Sequence, residues 1–62
     1  MAYVRFEEFY NGGDILVDSR ENIIIREGLF EDMSRLITGN SVVTVRCTTE
    51  EVVAKIEAAR GS

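Results

Sequence analysis

Sixty-two residues, 45% of them hydrophobic, describe one small domain with too much apolar content to stay disordered. One cysteine and no histidine exclude an intrachain disulfide, and a zinc site of the usual Cys/His kind, within a single chain. Eleven acidic residues against seven basic ones, a net charge of −4, disfavour a sequence-independent grip on nucleic acid, which depends on excess Lys and Arg.

A chain this short buries only about 60% of its unfolded surface. Small domains usually add a disulfide, a metal or a partner. With the first two excluded, self-association or a protein partner is the expected source of extra stability. No apolar run approaches the roughly 20 residues that span a bilayer, and no secretory signal is visible. With the lone Cys47, which suits a reducing compartment, the expectation is a cytoplasmic protein without membrane insertion.

Taken in order, residues Ala2 to Phe9 read as a first strand, with Val4 and Phe6 alternating against Tyr3, Arg5 and Glu7. Asn11-Gly12-Gly13 is a hairpin turn signal, because Asn and Gly tolerate positive φ. Asp14 to Asp18 is a second strand, with Ile15 and Val17 on one face and Leu16 on the other. Ser19 to Asn22 is a polar loop, and the β-branched run Ile23-Ile24-Ile25-Arg26 favours a third strand. Gly28 to Asp32 is ambiguous. Leu29, Phe30, Met33, Leu36 and Ile37 stand at helix-like spacing, so a short helix ending at Gly39 competes with a loop followed by a strand at Ser34–Thr38. The strand is preferred, because Val42 to Cys47 needs a partner and Gly39-Asn40-Ser41 supplies a tight turn.

The last element is the most sharply marked. Thr48-Thr49-Glu50-Glu51 has capping-box form, so a helix is expected from Thr48. Val52, Val53, Ile56 and Ala59 would form its buried stripe. The helix is too short to persist alone, so it must lie on the sheet. The fold expected is therefore α+β: a small antiparallel β-meander of about five strands with one C-terminal α-helix packed on one face. The domain spans residues 1–60, and residues 61–62 form a tail.

Alternation assigns the faces. If Val4, Phe6, Ile15, Val17, Ile23, Ile25, Leu36, Val43, Val45 and Cys47 face the helix, then Arg5, Arg26, Arg35 and Arg46 point outward, one from each of four strands. The outward face would also carry Tyr3, Leu16, Ile24, Ile37 and Val42, which makes these five the candidate interface. The four arginines are the candidate anion-binding set, since forked guanidinium donors suit phosphate or carboxylate. Cross-strand pairing with Glu7, Asp14, Asp18 and Glu27 is the plainer account and the favoured one.

Catalytic readings are weak. Cys47 has no histidine to activate it and alternates with core valines, which predicts a structural thiol. Glu7 and Glu8 point to opposite faces of a strand, and Glu50 and Glu51 are accounted for by the helix start. There is no calcium loop and no phosphate-binding glycine loop. The few aromatics, Tyr3, Phe6, Phe9, Tyr10 and Phe30, suit core and interface packing better than base stacking.

Several stretches together give the chain a family likeness. These are Ile15-Leu16-Val17-Asp18 followed by Asn22-Ile23, then Ser34 to Gly39, then Val43 to Ile56 with Thr48-Thr49-Glu50-Glu51-Val52. In these it resembles the FlbD/SwrD-like family of small flagellar and phage-associated proteins. The likeness covers most of Ile15 to Arg60 and departs from the family in its long Gly28–Asp32 segment and one extra residue after Gly39. It implies a non-enzymatic accessory factor with no catalytic residues to carry over. A looser likeness to the sheet of LytTR-type DNA-binding domains is opposed by the acidic balance.

The functional expectation is a non-enzymatic, cytoplasmic protein-interaction module that forms a homo-oligomer through its sheet or binds a protein partner, and needs no cofactor or metal. The alternative is an oligomer that binds a nucleotide or other small anionic ligand through the outward arginines. A nucleic-acid-binding module is the second alternative.

Overall fold

The computed structural model describes residues 3–61. Five strands precede one helix: β1 (Tyr3–Glu7), β2 (Asp14–Asp18), β3 (Ile23–Glu27), β4 (Ser34–Thr38), β5 (Ser41–Val45) and α1 (Thr49–Arg60). All strand pairings are antiparallel. The expected α+β architecture is the one observed. Ala2, expected to open the first strand, lies outside the described residues, as does Ser62 of the tail. The first strand ends at Glu7 rather than Phe9, and the last covers Ser41–Val45 rather than Val42–Cys47.

The strands do not form one continuous layer. β1 and β2 make a two-stranded sheet, and β3, β4 and β5 make a three-stranded one. The sheets meet at one corner through an isolated bridge between Glu8 and Val45. There Phe9 N–H donates to the Thr44 carbonyl (3.0 Å) and Arg46 N–H donates to the Glu7 carbonyl (2.9 Å). The break lies between β2 and β3. Asp18 accepts from the Arg20 backbone N–H at 3.0 Å, an Asx turn that redirects the chain instead of folding it back as a hairpin. Arg60 at the helix end then donates to the carbonyls of Ser19 and Glu21 and holds that loop in place. β2 and β3 are consequently edge strands.

The core lies between the two inner faces and the helix. Val4, Phe6 and Val17 come from the first sheet, Leu36 and Val45 from the second, and Val52 and Ile56 from α1. Ile15, Ile23, Ile25, Val43, Cys47 and Ala59 pack around them, partly buried. Each large side chain fully removed from water contributes roughly 1.5–3 kcal/mol before entropy costs. The inward set read from alternation is this set.

The helix differs in one position. Val52, Ile56 and Ala59 face the core, but Val53 is 40% exposed. Neighbouring helix positions are about 100° apart, so a narrow buried stripe takes Val52 and turns Val53 outward. The segment Leu29–Ile37 does not wind into a helix. Met33 N–H donates to the Phe30 carbonyl (3.1 Å) in a turn, and Gly28 N–H donates to the Met33 carbonyl (3.1 Å), which closes a loop between β3 and β4. Met33 and Leu36 are both buried, Met33 under that loop and Leu36 in the sheet.

Candidate interaction surface

The outward face of β3–β4–β5 is set by register. Ile24 lies opposite Ile37, and Ile37 opposite Val42. Three β-branched side chains therefore form one row across three strands. Ile24 and Val42 are more than half exposed and Ile37 is half-buried. The next outward row, roughly 7 Å along the strands, is Arg26, Arg35 and Thr44, again direct cross-strand partners. In its strands this face presents two arginines and no acid, in a chain of net charge −4.

Arg26 directly opposite Arg35 is an unfavourable pairing of like charges. Among the described residues Arg35 Nη2 donates to the backbone carbonyl of Glu27, at 3.4 Å. No ion pair to either side chain is present among the described residues. The other two arginines lie elsewhere. Arg5 sits opposite Leu16 in the first sheet. Arg46 stands over the Phe9 ring, 4.8 Å from its centroid, with Glu7 Oε2 at 3.6 Å and Asp32 Oδ2 at 3.8 Å. The four candidate anion-binding residues thus give one adjacent pair, Arg26 and Arg35, and two separate side chains. The expected pairing with Glu7 is made by Arg46.

The candidate interface residues divide likewise. Ile24, Ile37 and Val42 are brought together. Tyr3 and Leu16, both more than half exposed, lie on the first sheet. They line a cleft of about 460 Å³ whose walls include Asp18, Glu21, Thr38 and Ser41. None of the four arginines borders it.

Just past the end of β2, Arg20 Nε and Nη2 each donate to a different Asp18 oxygen at 3.0 Å. These side-chain bonds, helped by the Arg20 backbone N–H, hold the Asp18 carboxyl below its ordinary range, and the same bonds raise Arg20 above its own.

Sequence reasoning did not find the aromatic cluster at the loop end. Phe9 stacks on Phe30 with centroids 6.0 Å apart and meets Tyr10 edge-on at 5.4 Å. Tyr10, Phe30 and the neighbouring Leu29 are largely exposed, Leu29 at 85%. Phe9 and Phe30 are 21 positions apart, and no periodicity links two loop residues. The one available signal was apolar side chains placed within turn segments.

Cys47 is half-buried, and its carbonyl accepts from the buried Ser34 hydroxyl at 2.6 Å. Among the described residues no group of three or more Cys, Asp or Glu side chains is placed to hold a metal ion, and no helix is long and apolar enough to cross a membrane. No protein-family model, curated protein or solved structure matches the chain.

Proposed function

We propose that this protein is a non-enzymatic interaction module that associates with further copies of itself through the outward face of β3–β4–β5. The row Ile24–Ile37–Val42 carries the reading. β-Branched side chains aligned across three strands offer a flat apolar strip with little rotamer freedom to lose. Ile24 and Val42 are more than half exposed, so covering them adds on the order of 1 kcal/mol each, and the half-buried Ile37 adds less. That is the scale of a weak, concentration-dependent contact. The small size of the chain and its lack of an internal staple support the same reading. The resemblance to FlbD/SwrD-like proteins adds the proposal that the module serves as a cytoplasmic accessory factor of a flagellar or phage system.

Sedimentation velocity across the micromolar range is the test. The expected result is a mean mass that rises with concentration, and a chain carrying Ile24→Ser and Val42→Ser that stays at the monomer mass with an unchanged circular dichroism spectrum. A wild-type chain that remains monomeric throughout would remove the reading.

The alternative of a small anion bound by arginines retains one specific support, the uncompensated Arg26–Arg35 pair. Neither residue borders the cleft beside Tyr3 and Leu16 or the depression on α1, and a flat face favours a macromolecular partner.

A further inference from the structure

We infer that the surface which covers the β3–β4–β5 face is the outer flank of α1 from another copy of the chain, so that association runs head to tail. This rests on the self-association reading above and goes further by naming both halves of the contact.

The occupant of the face must meet two demands. It needs an apolar strip to lie on Ile24, Ile37 and Val42. It also needs carboxylates to relieve Arg26 and Arg35, which oppose one another without an acidic partner among the described residues. The face meeting a second copy of itself satisfies the first demand and not the second, since the outward positions of its strands bring no acid and Glu27 alternates to the other side.

One surface of this chain has the complementary pattern. Along α1, Glu50, Val53, Ala54 and Glu57 share a flank, because positions three, four and seven apart fall on one side of a helix. With Thr49 they line a shallow depression on the helix surface. Val53 is the large apolar side chain of the helix that the core does not take. Glu50 and Glu57 carry no ion pair among the described residues, and Arg60, the basic residue next along this flank, turns its side chain to the β2–β3 loop. Lys55 is over the Phe6 ring (5.4 Å).

The dimensions agree. Seven helical residues separate Glu50 from Glu57 by about 10.5 Å. The arginine stems start about 5 Å apart on neighbouring strands, and two splayed guanidiniums reach across the remainder. Val53 and Ala54 then fall between the charges, with the aliphatic row one outward step, roughly 7 Å, to the side. Three strands of five residues, about 4.8 Å apart with about 3.3 Å per residue, make a face on the order of 240 Å², well below a standard interface. The contact should therefore be weak and salt-sensitive.

Both surfaces point away from the shared core, in different directions. One copy can give its helix to one neighbour and its sheet to another. Such heterologous contacts build rings or open chains rather than a two-fold dimer.

The experiment uses two variants of the full chain. The sheet variant carries Arg26→Glu and Arg35→Glu. The helix variant carries Glu50→Gln and Glu57→Lys, which leave the Thr48–Glu51 cap intact and place a positive charge where the helix dipole favours it. Circular dichroism confirms that each folds. Sedimentation is expected to show association of the wild type, at least about tenfold weaker self-association of each variant alone, and recovery of complex on mixing the two. A single chain carrying all four substitutions, with Glu50→Lys in place of Glu50→Gln, is expected to self-associate again.

A helix variant that associates as strongly as wild type, beside a sheet variant that does not, overturns the helix as occupant while leaving self-association through the sheet. Failure of the mixture and of the charge-swapped chain to associate also overturns it. A wild type that is monomeric at every concentration overturns this inference and the underlying reading together.

Discussion

Gly28 is required by the side chain it faces. A Cβ built there would lie 2.9 Å from the Met33 Cβ and closer still to the Met33 Cγ and Sδ. Met33 is buried, and its sulfur accepts from the Leu29 N–H at 3.3 Å, so it has little room to withdraw. Gly28→Ala is expected to destabilise the fold by roughly 1–3 kcal/mol, the usual scale of overpacking, read from the midpoint of a urea titration. Asp18 makes a pH-dependent contribution. Its carboxyl is held below the ordinary value of 3.8 by the side-chain hydrogen bonds from Arg20. A depressed carboxylate stabilises the fold above its unfolded value, and that stabilisation is lost as the pH falls through the lower, folded one. The melting temperature of Arg20→Ala should therefore lie below wild type near neutrality, and the gap should close as the pH is taken below about 3.8. A gap that persists in acid would assign the role of Arg20 to packing.

The helix is defined at its start by a reciprocal pair of bonds. Glu51 N–H donates to Thr48 Oγ1, and Thr48 N–H donates to Glu51 Oε1, both at 3.2 Å. Thr48→Ala removes the first and should cost about 1 kcal/mol, with amide exchange rising in the first turn of α1 and not in β4. At its other end the helix lacks a left-handed cap, since Gly61 has φ −80. The Arg60 bonds to the Ser19 and Glu21 carbonyls anchor that end instead. The β4–β5 hairpin is similarly local in origin. Gly39 has φ +53 while Asn40 does not have positive φ, the signature of a type II′ turn, whose twist matches the strands it joins. Thr38 pairs with Ser41 across it, which puts Leu36 opposite Val43 and sends both inward.

The whole molecule depends on few buried side chains. Phe6, Leu36, Val45 and Val52 are essentially removed from solvent. Leu36→Ala should cost roughly 2–5 kcal/mol, against a total of only about 3–5 kcal/mol expected of one core this small. The variant is expected to be largely unfolded at room temperature, with lost amide-proton dispersion as the readout. A folded and cooperative Leu36→Ala chain would show that stability comes mainly from association. In that case the wild-type melting temperature should climb with protein concentration, as mass action requires.

Much of this was legible in the chain because its causes are local. Period-two alternation in Asp14–Asp18 and Ser34–Thr38 carries the strands and their inward residues. Glycine at position 39 carries the tight turn, and Thr48 with Glu51 carries the helix start. Each depends on neighbours within a few positions, so local order settles it. The other features depend on which distant segments meet. The division into two sheets follows from the Asp18–Arg20 turn and the Glu8–Val45 bridge. The reduction of four outward arginines to one opposed pair follows from the β3–β4 register. The stacking of Phe9 on Phe30 follows from two loops that close at the same end. The exposure of Val53 follows from which side of α1 lies on β1 and β3, the side of Val52 and Ile56. Alternation states which way a side chain points. Only the assembled chain states what stands beside it.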